Sequence, residues 1–281
     1  MNRIDRIKLD FTRNWTLPGK ERFSRWFKPS DELKKTIHDG IAWLNDEDIA
    51  IYANADSYIE WTVLSNGAYE TEINKLIRVS LKNGKNALDI GGNIGLQSIR
   101  MSQCVGETGK VYAFEPLHYL QEKFKRNIAL NNAANVTLFP FALANEAYEA
   151  TFTIEKSSWN QGTFSLNNTR DGAEKQTVAV KVADNLTEIQ QLESLDFIKI
   201  DVEGFEFQVL LGLKETISKY KPRIIFEYDD NYWVKTGQHI DDCYLFLQEL
   251  GYTIYQISPV GCELIKHKED IKGGNLFCIH E

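Results

Sequence analysis

The ten residues Asn86-Ala87-Leu88-Asp89-Ile90-Gly91-Gly92-Asn93-Ile94-Gly95 constrain the fold of this chain most: an apolar run ends in an acid and opens at once into glycines. The run reads as a buried strand that feeds a tight loop and then a helix. Such a βα turn is where doubly wound folds hold a nucleotide-like ligand at a helix N-terminus. A dinucleotide-binding turn has G-x-G-x-x-G. Counted from Gly91, Asn93 and Leu96 stand where the second and third glycines belong, and the pattern is Asp-x-Gly-x-Asn-x-Gly with Asp89 at the strand end. That arrangement suits a ligand with a cationic amino acid moiety better than a pyrophosphate, and a structural turn without ligand is the plain alternative.

The rest of the chain falls into place around this turn. Short apolar strands are predicted at 87–90, 110–114, 136–141, 197–201 and 223–228, separated by helices at about 94–103, 117–131, 205–218 and 240–250, an alternation that implies a parallel sheet. Two final strands, 253–257 and 275–280, joined through Pro259 and Gly261, are expected as an antiparallel pair at the sheet edge. Between about 146 and 195 the rhythm breaks into two alternating runs, 149–154 and 177–182, around a polar stretch, which predicts a β-ribbon insertion with a long loop. Before the sheet, residues 1–68 carry Ile4, Ile7, Phe11 and Trp15, then Phe23, Trp26 and Phe27, at helical spacing and are expected as a helical N-terminal cap or lid. A further helix is expected from Tyr69 to Lys82, stopped by Asn83-Gly84.

Composition narrows the function classes. With 281 residues and a formal net charge of −8, general affinity for nucleic acid is not expected, although residues 1–35 alone carry +5 and leave −13 for the remainder. No apolar run is long enough to span a bilayer, and the N-terminal stretch lacks the pattern of a secretory signal, so a soluble, cytoplasmic protein is expected. Cys104, Cys243, Cys262 and Cys278 form no C-x-x-C pair, which argues against a zinc site or a disulfide framework.

Three acidic motifs point at one crevice. Glu115, in Phe114-Glu115-Pro116, ends the strand after the glycine loop, where a carboxylate can accept from both hydroxyls of a ribose. Asp201 and Glu203, in Lys199-Ile200-Asp201-Val202-Glu203-Gly204-Phe205-Glu206, end the fourth strand, and Glu227 and Asp229 end the fifth. Acids beyond strands also serve as helix caps, which is the structural alternative for Glu203. Trp159, Asn160 and Thr163 in the insertion offer aromatic, amide and hydroxyl surface for a polyhydroxylated acceptor, and His239 follows the fifth strand where it could face a substrate.

Taken together, Asp89–Gly95, Phe114-Glu115-Pro116, Asn127-Ile128-Ala129-Leu130-Asn131, Phe141-Ala142-Leu143 and Ile198–Glu206 closely resemble the FkbM-type methyltransferases. The resemblance implies a Rossmann-like seven-stranded sheet with an antiparallel last strand, a domain spanning 69–281, S-adenosylmethionine as cofactor, and methyl transfer to an oxygen of a sugar, glycan or polyketide-like acceptor. Carried over by position, Asp89, Gly91, Gly92, Asn93 and Gly95 would hold the methionine part, Glu115 and Pro116 the ribose side, Phe141 and Ala142 the adenine edge, with Asp201 beside the cofactor. Asp201, Glu203 and Glu227 are the candidate catalytic acids; in a variant reading Asp201, Glu227 and Asp229 hold Mg2+. Two departures stand out: Gly92 where alanine is commoner, and Ala183-Asp184-Asn185-Leu186 in place of Leu-Asp-Asp-Leu. A nicotinamide-dependent oxidoreductase and an inactive cofactor-binding module are the competing readings.

Overall fold

In the computed structural model, residues 3–15, 28–45, 47–154 and 174–280 are described. In chain order they form α1 (Arg3–Asn14), α2 (Asp31–Thr36), β1 (Gly40–Trp43), β2 (Ala50–Ala53), α3 (Tyr58–Asn66), α4 (Thr71–Ser80), β3 (Asn86–Ile90), α5 (Leu96–Val105), β4 (Lys110–Phe114), α6 (His118–Leu130) and β5 (Val136–Phe139). Next come β6 (Ala142–Leu143), β7 (Tyr148–Ile154), β8 (Glu174–Lys181), α7 (Thr187–Gln190), β9 (Phe197–Ile200), α8 (Glu206–Gly212), α9 (Lys214–Tyr220) and β10 (Arg223–Tyr228). The remainder is α10 (Asp230–Lys235), α11 (Ile240–Glu249), β11 (Tyr252–Ser258), β12 (Gly261–Leu264) and β13 (Gly274–His280).

The principal sheet has the order β12-β11-β13-β10-β9-β3-β4-β5. Strands β3, β4, β5, β9 and β10 run parallel, whereas β13 is antiparallel to both of its neighbours, β10 and β11. The seven expected strands are therefore present, and the last two pair antiparallel as expected, with β13 between β10 and β11. The edge belongs to β12, an eighth strand that the sequence pattern did not suggest because all four of its residues are exposed and carry no alternation.

Adjacent strand residues face opposite sides of the sheet, and each pair feeds a different core. Leu88, Ile198, Phe226 and Leu276 pack on one side with α8, α9 and α11; Ala87, Phe197, Ile225 and Phe277 pack on the other with α4, α5 and α6. This double covering explains the near-continuous apolar runs of the parallel strands. Pro140 ends β5 earlier than expected, and the chain moves into a separate three-stranded sheet of order β6-β8-β7. There the two alternating runs of the insertion pair antiparallel, from Tyr148↔Val180 to Ile154↔Glu174. Its connection, with Trp159, Asn160 and Thr163, lies outside the described residues.

Within 1–68 the described residues include an antiparallel ladder of β1 and β2 that the helical expectation did not foresee, while Phe23, Trp26 and Phe27 lie outside the described residues. Four-residue strands carry too little periodicity to announce themselves. Asn127 on α6 and Asn131, the residue that caps its C-terminus one helical turn later, stand in for a further strand: Asn127 Oδ1 accepts from Tyr52 N at 2.8 Å and Asn131 Oδ1 from Ala50 N at 3.0 Å. Helix α1 also turns a different face inward than its apolar stripe suggests. Asp5, Leu9 and Thr12 are buried, while Ile7 and Phe11 are more than half exposed. Among the described residues, no helix is long and apolar enough to cross a membrane. All four cysteines are free thiols.

Candidate active site

The crevice forms at the C-terminal ends of β3, β4, β9 and β10, where open parallel sheets bind ligands. After Ile90 the chain must turn sharply, and Gly91, Asn93 and Gly95 take φ of 85°, 48° and 88°. Glycine serves this conformation without the steric cost of a Cβ. Gly91 and Gly92 both donate to the carbonyl of Phe114 at 3.0 Å, which ties the loop to β4. Gly92 and Gly95 face inward: a Cβ on Gly92 would come within 2.8 Å of the Phe124 ring, and one on Gly95 within 3.1 Å. The glycine at 92 thus lets the ring of α6 pack beneath the loop.

Glu115 lies at the crevice and is only 4% exposed. Its Oε2 accepts from Asn93 N and its Oε1 from Leu117 N, each at 2.9 Å, so this carboxylate braces the glycine loop as well as facing the cavity. Burial pushes its pKa up to about 8 in spite of the two amide donors. Asp89 is fully buried and does not line the cavity; its Oδ2 accepts from Ser98 of α5 while Oδ1 has no partner among the described residues.

Together these elements enclose a cavity of about 320 Å³. Its floor is Ile90, Gly91 and Asn93; one wall is Phe114, Glu115 and Pro116; the opposite wall is Asp201, Val202, Glu203 and Phe205, with Glu227 and Tyr232. Ala142 and Leu143 of β6 and Tyr148, Ala150 and Phe152 of β7 provide an apolar side. Tyr58, Ile59, Tyr69 and Glu70 complete it from the N-terminal part of the chain. Of the sequence-predicted residues, Gly91, Asn93, Glu115, Pro116, Ala142, Asp201, Glu203 and Glu227 are brought together here. Gly92, Gly95 and Phe141 are not; Phe141 packs against Phe114 and Phe139 with Lys181 Nζ 4.1 Å above its ring. His239 is an exposed residue at the start of α11 and is not among the cavity's lining residues.

The acidic wall rests on one buried cation. Lys199, 3% exposed, directs Nζ at Asp201 Oδ2 at 2.9 Å. Burial alone would lower its pKa, but Asp201, Glu70 and Asp89 overcome this and hold the ammonium charged above its ordinary range. Next to it the 201–206 loop turns through Glu203 at φ 54° and Gly204 at φ 96°. Glu206, buried, holds this turn by accepting from Val202 N at 3.1 Å, from Gly204 N at 3.0 Å and from Trp233 Nε1 at 2.8 Å. Glu203 itself shares a hydrogen bond with Tyr232, and its pKa is pushed up to about 8 by burial and by the nearby Asp201 and Glu227 charges. Burial and Asp201 likewise push Glu227 up to about 7.

Two expectations change. Asp229 turns its Oδ1 to Asn231 N at 2.8 Å as the cap of α10, and Asp201 is engaged by Lys199, so the proposed Mg2+ set is not assembled. No group of three or more His, Cys, Asp or Glu ligands converges among the described residues. Asp184, in the divergent Ala183–Leu186 run, receives Glu215 N and Thr216 N at 2.8 and 3.0 Å and so caps α9. Tyr58, Tyr69 and Glu70 were missed. Their only sequence signal is an acid in the first turn of the helix expected over 69–82; in the structure Glu70 sits just before α4 at φ 49° with its carboxylate accepting from Gln97.

A family model described as the methyltransferase FkbM domain matches residues 89–254, from the acid of the glycine loop to β11. The chain belongs to the FkbM methyltransferase family. This FkbM methyltransferase is 26% identical over 187 residues to Methyltransferase 1 of Beauveria bassiana, spanning 60% of this chain and 74% of that protein. It is 31% identical over 156 residues to Methyltransferase sdnD of Sordaria araneosa, spanning 46% of this chain and 60% of that protein. A solved methyltransferase FkbM from Methylobacillus flagellatus superimposes with a TM-score of 0.45 at 14% identity, over 73% of this chain and 50% of that one. Family membership replaces the nicotinamide reading with methyl transfer.

Proposed function

We propose that this FkbM methyltransferase uses S-adenosylmethionine to methylate a hydroxyl oxygen of a sugar, glycan or polyketide-like acceptor, with Glu203 as the base. The observation that carries this reading is Glu203 itself: a carboxylate held at positive φ, facing the cavity, with its pKa pushed up to about 8. A non-glycine residue kept in that conformation at a crevice is the kind of strain that functional sites retain.

The cavity residues fit the cofactor. Glu70, Glu115, Asp201, Glu203 and Glu227 surround a space whose buried cation, Lys199, is tied to Asp201, so the wall favours a positively charged ligand. The 91–95 loop would hold the methionine part, Glu115 the ribose hydroxyls with the lone pairs that Asn93 and Leu117 leave open, and Ala142 with Leu143 the adenine edge. When bound, the cofactor supplies a methyl on a sulfonium, open to in-line attack by oxygen.

An aliphatic hydroxyl is a weak nucleophile and needs its proton removed as it attacks. Glu203 takes that proton, and a carboxylate titrating near 8 matches the task at neutral pH. Asp201 is the weaker candidate because Lys199 engages it. Glu227 lines the same cavity beside Glu203, and Tyr232 orients Glu203 through their shared hydrogen bond.

Glu203→Gln is expected to lower kcat about 10²–10⁴-fold while S-adenosylmethionine binds in calorimetry about as it does to the wild type. Full turnover by this variant sinks the assignment. The base works only when deprotonated, so the rate should climb with pH and level off above about 8; a rate that is flat between pH 6 and 9 argues for another base.

A further inference from the structure

The donor cavity has a neighbour. A second cavity, of about 450 Å³, lies across Tyr58, Tyr69, Glu70 and Glu227, residues that line both spaces. Its outer walls come from α3, through Trp61 and Thr62, and from the ends of β11 and β13, through Ser258 and Asn275. Glu227, at the junction, belongs to the acidic group beside Glu203.

The chemistry of the second cavity is selective. Among the described residues that line it there is no lysine, arginine or histidine, while Glu70, Glu72 and Glu227 all contribute carboxylates. An anion would find no cationic side chain among the described lining residues to pair with, and would face carboxyl groups instead. Hydroxyl groups instead meet amide, hydroxyl and carboxylate partners, and aromatic side chains can receive an apolar ring face. The basic bias of residues 1–35 is not carried into this space.

We propose that the second cavity is the acceptor site and that it admits polyhydroxylated acceptors without negative charge, such as a neutral sugar ring, and rejects phosphorylated or carboxylated ones. The inference rests on the methyl-transfer reading, because the junction at Glu227 is what brings a hydroxyl in this cavity to the donor side.

The test measures charge selection directly. Thr62→Cys, in a Cys262→Ser background, places a thiol on the cavity wall; Val79→Cys, at an exposed position of α4, is the reference. Relative to that reference, an anionic sulfonatoethyl thiosulfonate should modify Thr62→Cys about tenfold more slowly than a neutral hydroxyethyl one. The neutral adduct should still bind S-adenosylmethionine in calorimetry but no longer transfer a deuterated methyl group to a panel of methyl glycosides. Equal rates for the two reagents, transfer that persists in the adduct, or transfer to the matching sugar phosphates overturns the proposal. Donor binding with no transfer to any glycoside by the unmodified enzyme also counts against a polyhydroxylated acceptor. Failure of the unmodified enzyme to bind the donor instead removes the methyl-transfer reading itself.

Discussion

The two loops that face each other across the crevice, 91–95 and 201–206, are built alike and used differently. Each leaves a parallel strand, turns through positive φ, and is held by a buried glutamate that accepts backbone amides: Glu115 takes Asn93 N and Leu117 N, and Glu206 takes Val202 N and Gly204 N. In the first loop the positive-φ positions are two glycines and an asparagine, and no residue of the loop carries a titratable group. In the second the positive φ falls on Glu203, the carboxylate proposed as the base. A cradle can be made of backbone alone, whereas a base must have its side chain held where the backbone does not wish to put it.

That comparison is easiest to break at the second loop's brace. Glu206→Ala removes the partners of two amides and of the Trp233 indole at once, and charge-assisted hydrogen bonds contribute about 1.5–3 kcal/mol each. Urea unfolding should report a loss of at least about 3 kcal/mol, with methyl transfer lost as well; a smaller change means that the turn is held by other contacts. In the first loop, Gly95→Ala imposes a Cβ at φ 88° against the Phe124 ring and should destabilise by about 2 kcal/mol. Donor binding should weaken with it, since the cradle is the part deformed. The smallest effect has the opposite sign. Glu203→Gly relieves the positive φ and should raise stability by about 1 kcal/mol while transfer falls as far as in Glu203→Gln. Stability that drops instead would show that Glu203 supports the fold rather than straining it.

Much of this is legible in the sequence. Gly91–Gly95 declared a βα turn, the spacing to Glu115 declared the next strand end, and apolar runs bounded by helices declared the doubly covered sheet. These signals are local, and the sheet repeats them. What escaped was non-local or too short. Tyr58, Tyr69 and Glu70 reach the cavity from ahead of the sheet, and nothing in their own neighbourhood marks them as lining it. Strands β1 and β12 have four residues each, only two periods of alternation. Asn127 and Asn131 were visible only as part of a resemblance; their task, supplying acceptors to the open edge of β2, depends on a hairpin more than seventy residues earlier. Phe141 was placed at the adenine edge by position in the resemblance, but Pro140 redirects the chain and, of these residues, Ala142 and Leu143 line the cavity while Phe141 does not.

The position of β13 has a consequence for how the protein is made. A chain emerging from N to C terminus delivers β10 and then β11, which run in the same direction but do not touch; the slot between them is filled only when 274–280 arrives. Until then both strands present raw edges, and Phe226, Ile225 and Ile254 lack the side-chain neighbours Leu276, Phe277 and Cys278 that pair beside them. Glu227 is paired with Asn275, so one wall shared by the two cavities is also finished last. During synthesis, therefore, the glycine loop precedes the Glu227–Asn275 pairing, with two adhesive strand edges left open until residues 274–280 follow.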